Sequence, residues 1–209
     1  MGVESQTKEH WEKVYQSKSA DQVSWFQEHA GKSLEMIRSV RGSLSDRILD
    51  VGGGASTLVD DLLADGCKNV SVLDLSEAAL EVAKRRLGAS ADRVGWIAGD
   101  IRSVALPEDA FDVWHDRAVF HFLTEQGDRD AYVGQVMRAV RPGGHVIVAT
   151  FAPDGPEKCS GLPVMRYGAG ELHGEFGPAF ELVGSSSEVH KTPWGSEQSF
   201  VYCLCVKPR

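Results

Sequence analysis

In the run FDVWHDRAVFHFL, Phe111 to Leu123, four side chains able to carry protons or charge crowd the stretch from His115 to His121. His115 and His121 are candidate bases, Asp116 an orienting carboxylate, and Arg117 a cation for an anionic acceptor. The plainer reading pairs Asp116 with Arg117 across a strand end, and a zinc set of His115, Asp116 and His121 is a third arrangement. A second constellation lies upstream, where Asp50-Val51-Gly52-Gly53-Gly54-Ala55-Ser56 joins an acid to a glycine turn. Glycine there lets the backbone come close to a ligand with no Cβ in the way. The dinucleotide fingerprint GxGxxG is broken by Thr57, and an acid at Asp50 would repel a pyrophosphate. A cationic ligand without phosphates suits it better. Asp74, 24 positions further on, offers two acceptor oxygens to a diol, and Asp100 follows in AGDI.

Alternating apolar runs position these groups. ILDVGG (Ile48 to Gly53) reads as a buried strand stopped by glycines, and VSVLDLS, VGWIAGDI (Val94 to Ile101), FDVWH and HVIVATF as four more. Between them STLVDDLLADG places Leu58, Leu62 and Leu63 on one helical face, with Ser56 as N-cap and Gly66 as stop. Ser76 caps EAALEVAKRRLG, in which Leu80, Ala83 and Leu87 repeat at helical spacing. Asp128 caps RDAYVGQVMRAV, with Tyr132, Val133, Val136, Met137 and Val140 facing inward, and Arg141 to Gly144 forms a turn. Strands alternating with helices predict an α/β, doubly wound, mostly parallel sheet with ligands beyond its C-terminal strand ends. Ahead of it lie a helix near residues 5–17, the segment VSWFQ and a helix from Lys32 to Arg41. Behind it come a Gly/Pro-rich loop (Ala152 to Gly170), a short helix, and the extended runs FELVGSSSEV and QSFVYCLCV, the last an outer antiparallel strand. A single domain over 1–209 is expected, divided as 1–44, 45–151 and 152–209.

With 42% hydrophobic and 25% charged residues the chain can bury one sizeable core, and a net charge of −8 argues against a nucleic-acid surface. Lys84-Arg85-Arg86 is a solvated helix face. Cys67, Cys159, Cys203 and Cys205 lack CxxC spacing, which points to a reduced, cytoplasmic setting. No apolar run has membrane-spanning length, and MGVESQ meets a myristoylation pattern at Gly2 but carries Gln6 where Ser or Thr belongs. The expected partner is a small molecule rather than a nucleic acid or a membrane, on a monomer or homodimer.

LDVGGG with its following Ala55 and Ser56 resembles the first motif of class I S-adenosylmethionine (SAM)-dependent methyltransferases, D/E-x-G-x-G-x-G, with Ser56 in place of the last glycine. The resemblance covers about residues 45–151 and implies a Rossmann-like fold, SAM as cofactor, S-adenosylhomocysteine (SAH) as product and no metal. It implies that Asp50, Gly52, Gly53, Gly54 and Ser56 hold the methionine end, with His115 beside them. Asp74 and Leu75 would take the ribose; Gly99, Asp100 and Ile101 would take the adenine, Asp100 through its amino group. HWEKVYQ and VSWFQ look like the leading segment of a thiopurine methyltransferase-like subset, in which N-terminal helices cap the cofactor. Trp11 and Tyr15 share a helical face, and with Trp25 they would cover SAM. Trp25 and Phe26 would exclude water that competes for the methyl group.

Substrate would lie against Phe120, Arg117 and KCSGLPVMRYG, where Cys159 is a pocket wall or reactive thiol and Arg166 and Tyr167 anchor an anion. Cys203 and Cys205 face one side of a strand, and His190 and Trp194, near the last hairpin, are surface loop residues or reach the pocket rim. HDR replaces the NPPY-like tetrapeptide of amide and exocyclic-amine methylating enzymes. The favoured acceptor is therefore a thiol or sulfide. The alternatives are a protein lysine N-methyltransferase, a non-catalytic SAM-binding module and an NAD-dependent oxidoreductase.

Overall fold

The structure, a computed structural model, describes residues 3–17 and 19–209. Gly2 lies outside them. Five parallel strands form the first part of one sheet: β1 (Arg47–Val51), β2 (Asn69–Asp74), β3 (Val94–Ala98), β4 (Phe111–Arg117) and β5 (Val140–Phe151). A small hairpin follows, β6 (Lys158–Cys159) and β7 (Leu162–Pro163), and then β8 (Glu181–Lys191) and β9 (Glu197–Val206). The sheet order is β3-β2-β1-β4-β5-β9-β8, with β9 antiparallel to both neighbours. The order reverses between β1 and β4, which is where such sheets open a ligand crevice.

Among the described residues six α-helices flank the sheet: α1 (Val3–Ser17), α2 (Gly31–Val40), α3 (Leu58–Ala64), α4 (Glu77–Leu87), α5 (Gln126–Ala139) and α6 (Ala169–Phe176). Successive strand residues point to opposite faces. Ile48, Val113 and Ile147 join Ile37, Leu62 and Leu80 on the α2–α3–α4 side, while Leu49, Trp114 and Val148 join Tyr132, Val136 and Phe176 on the α5–α6 side. Among the described residues no helix is long and apolar enough to cross a membrane.

Ser76 caps α4 through Ala79 N–H at 3.1 Å. Other boundaries differ from expectation. Thr57, not Ser56, is the N-cap of α3, and α5 starts after Glu125, which leaves Asp128 in its first turn. Arg141 to Gly144 lies inside the span of β5: Phe111 pairs with Val140 and Val113 next with His145, so the glycines bulge from the strand. QSFVYCLCV is not an outer strand. β9 sits between β5 and β8, β8 takes the edge, and Phe200 to Cys205 is buried at every position because its alternate residues pack into the cores on the two faces of the sheet.

Candidate functional site

The glycine turn is shaped by the two acids it touches. Gly52, at φ +67, donates its N–H to Leu73 O at 2.7 Å, and a Cβ there would stand 2.0 Å from Val119 Cγ2. Gly54, at φ +30, leaves space that Asp74 Oδ2 fills, 2.5 Å from where a Cβ would be. The β1–β4 register sets Asp50 opposite His115, and Asp50 Oδ1 accepts from His115 Nδ1 at 2.7 Å. Both groups are buried, and Asp50 Oδ2 and His115 Nε2 have no partner among the described residues. Such orphaned acceptors await a donor. Asp74 accepts from Ser76 N–H at 2.8 Å; burial, with the charges of Asp50 and Glu12 adding, pushes its carboxyl up to about 7. Burial acts on Asp100 too, yet hydrogen bonds from the Arg102 side chain and backbone hold it below the ordinary carboxylate value. Arg102 also reaches Asp128 at 2.8 Å.

Two adjoining chambers lie over this turn. The larger, about 470 Å³, has Asp74, Leu75, Gly99, Asp100 and Ile101 on one side and Trp11, Phe122, Leu123 and Cys159 on the other. The smaller, about 50 Å³, is bounded by Asp50, Gly53, Ser56, Thr57, His115 and Phe26. Tyr15, Trp25, Val51, Gly52 and Arg117 border both. The cofactor's chemistry fits this donor and acceptor set. Unpartnered acceptors in the small chamber suit an ammonium group, a buried carboxyl at Asp74 suits a diol, and aromatic faces of Tyr15 and Trp25 at the junction suit a sulfonium.

Arg117 is the cation at that junction. It lies 4.1 Å from the Phe200 ring, and its Nη2 donates to Glu188 Oε2 at 3.1 Å. Its Nε donates to the Tyr202 hydroxyl at 3.1 Å, and Gln27 Nε2 donates to Glu188 Oε1 at 2.9 Å. Burial pushes the Tyr15 phenol well above its ordinary value, with the charge of Asp74 adding, and pushes the Cys159 thiol up to about 12. Cys159 lines the wall of the large chamber. The chambers are roofed by α1. Glu12 accepts from Glu77 N–H at 2.7 Å and Ala78 N–H at 3.3 Å at the start of α4, and Trp11 sits edge-on to Trp25 and Phe122.

Several sequence-derived site residues lie elsewhere. Asp116 falls on the α5–α6 face, one residue out of step with His115 and Arg117. It orients neither of them and does not pair with Arg117, and that placement breaks up the zinc set. Its oxygens accept from Val119 N–H (2.8 Å), Phe120 N–H (3.0 Å) and the Tyr132 hydroxyl (2.7 Å), and burial pushes it up to about 6. Phe120 is core, packed on Tyr132, Tyr167 and Phe176. His121 is buried between Phe122 and Phe151, and burial, with Arg117 nearby, holds its imidazole down to about 3. It borders neither chamber, so it is not a base for an acceptor. Arg166 bonds Gly155 O and Glu157, and Tyr167 is buried with its hydroxyl on Glu175; neither lines a chamber. His190 is buried and donates to Ser24 O at 2.6 Å, whereas Trp194 is 62% exposed. Cys203 and Cys205 share a face, their Sγ atoms 3.4 Å apart. Glu188, Tyr202 and Glu12 went unnoticed in the sequence, since each acts through a partner more than 60 positions away. Among the described residues no group of three His, Cys, Asp or Glu could hold a metal ion.

Residues 48–144 match a family model described as a methyltransferase domain. The ubiquinone/menaquinone biosynthesis C-methyltransferase UbiE of Paracoccus denitrificans is 30% identical over 109 residues, 50% of this chain and 42% of that protein. The eEF1A lysine and N-terminal methyltransferase of Bos taurus is 24% identical over 152 residues, 69% of this chain and 21% of that protein. The chain thus spans less than half the length of these curated relatives. A solved structure described as "Conversion of a Disulfide Bond into a Thioacetal Group during Echinomycin Biosynthesis" shares the fold at TM-score 0.73 and 19% identity, over 97% of this chain and 92% of that one.

Proposed function

We propose that this chain, in which residues 48–144 match a methyltransferase-domain model, is a class I SAM-dependent methyltransferase that moves the methyl group to a small acceptor bearing a thiol or sulfide. The observation that carries this reading is the chemistry of the junction between the chambers. Methyl transfer from a sulfonium needs alignment of nucleophile and methyl carbon, and a base only where the acceptor must first be deprotonated. At the junction stand a cation, Arg117, and aromatic walls, while burial keeps the Tyr15 phenol there, and the Cys159 thiol on the wall of the large chamber, well above their ordinary values. His115 faces the small chamber, where the methionine end would lie, with Nδ1 committed to Asp50. A thiol, with an unperturbed pKa of about 8.5, ionises without a strong base, and a guanidinium favours the thiolate. In that assignment Asp50 and His115 receive the ammonium group, Asp74 the ribose and Asp100 with Ile101 the adenine. Tyr15, Trp25 and Arg117 surround the reacting atoms.

A second reading, transfer to a protein lysine, is favoured by the Bos taurus relative and by Glu125 and Asp128 on the chamber wall. An acceptor panel of hydrosulfide, small thiols, a phenol and a lysine peptide separates the two. The thiol reading expects SAH formation with thiols, rising with pH as the thiol ionises and lost by at least about tenfold in Arg117→Gln. Turnover of the lysine peptide with no thiol methylation sinks it.

A further inference from the structure

The wall that closes the large chamber has an outer side, and a second recess of about 520 Å³ lies against it, between α1, the β6–β7 turn and the β8–β9 turn. α1 is the partition. Thr7, Trp11 and Tyr15 recur every four residues and line the chamber, whereas His10, Lys13 and Val14 line the recess. The hairpin divides the same way, with Cys159 inside and Ser160 outside, and Trp25 borders both spaces. On the recess side His10 Nε2 meets Ser160 Oγ at 3.2 Å, which ties α1 to the hairpin.

Two residues give the recess a chemical character. Trp194 is 62% exposed on a turn locked by Thr192 N–H to Ser196 O (2.8 Å) and Gly195 N–H to Thr192 O (2.9 Å), so a large indole is held in water at the lip. Lys13 is exposed and forms no ion pair among the described residues, although the chain has a net charge of −8.

We propose that this recess seats the non-reacting body of the acceptor, a flat aromatic group bearing an anionic substituent, whose nucleophilic end passes Trp25 into the chamber. The proposal rests on the methyl-transfer reading of the chamber. A space of 470 Å³ falls among the roughly 300–1,000 Å³ pockets that one drug-sized ligand fills. The cofactor therefore takes most of it and leaves room for little more than the acceptor's reacting end. An exposed indole stacks on an aromatic ring, and a lone ammonium draws an anion toward it.

The test uses protein saturated with SAH, titrated by fluorescence with 8-anilinonaphthalene-1-sulfonate, an anionic aromatic probe that carries no thiol. SAH affinity is measured separately by calorimetry. Expected are one saturable probe site, binding weakened about tenfold in Trp194→Ala, a loss of salt sensitivity in Lys13→Gln, and unchanged SAH affinity in both. Both side chains are exposed, so neither variant threatens folding. Equal probe binding in all three proteins, or no saturable site, overturns the proposal. Failure of the parent protein to bind SAH overturns the methyl-transfer reading instead.

Discussion

At the end of β2 the Asp74 carboxyl accepts from the Ser76 and Leu75 backbone, yet burial pushes it up to about 7. Folded protein therefore holds this proton where the unfolded chain, titrating near its ordinary 3.8, has lost it. The contribution to stability is complete below about pH 4 and disappears as pH rises through about 7. Ribose hydroxyls donating to the carboxylate prefer the ionised form. Affinity for 5′-methylthioadenosine, which lacks the amino acid end, should rise with pH and level off above about pH 7, falling up to about tenfold per unit below it. Calorimetry across pH checks this, and Asp74→Asn should bind weakly at every pH without the slope. The acids were legible in the sequence because strand ends and a glycine turn index them. Asp116 was not. Strand parity separates it from His115 and Arg117, but which face opens onto the chamber is decided by α1 and β8, at opposite ends of the chain.

The junction after β4 shows how one carboxylate organises an element boundary. Ala118 sits at φ +75 and lines the chamber, a conformation that costs a non-glycine residue about 1–2 kcal/mol. Asp116 holds the turn in place from the other face through Val119 N–H, Phe120 N–H and the Tyr132 hydroxyl. Asp116→Ala strands those donors in a dry environment and should lower the unfolding free energy by about 3 kcal/mol. Asp116→Asn, which keeps acceptor capacity on one oxygen, should cost clearly less; urea denaturation of both variants measures the difference. Equal losses would show that packing and not hydrogen bonding secures the turn. Element order and the parallel core followed from hydrophobic period alone. The place of β9 did not, because QSFVYCLCV has the polar alternation of an edge at its start only. Val201, Cys203 and Cys205 pack into one core cluster and Phe200, Tyr202 and Leu204 into the other, while β5 and β8 take the two edges of β9, a pairing no local pattern announces.

At the scale of the whole molecule, the chambers join α1, the ends of β1 to β4 and the β6–β7 hairpin into one binding unit. A ligand that bridges them stabilises all of these elements together. SAH at a hundred times its dissociation constant should add about 2.7 kcal/mol and raise the melting temperature by roughly 5–10 °C, which differential scanning calorimetry reads directly. A shift that persists in Asp50→Ala and Asp74→Ala together would place the ligand elsewhere. The position of β9 also bears on how the chain is made. Seven residues of β5, His145 to Phe151, find their outer neighbour only in residues 200–206. On a ribosome adding about 5–20 residues per second, those partners emerge several seconds after β5 itself. Until then the nascent chain presents the apolar run VIVATF as an open strand edge, the kind of surface on which unfinished chains aggregate.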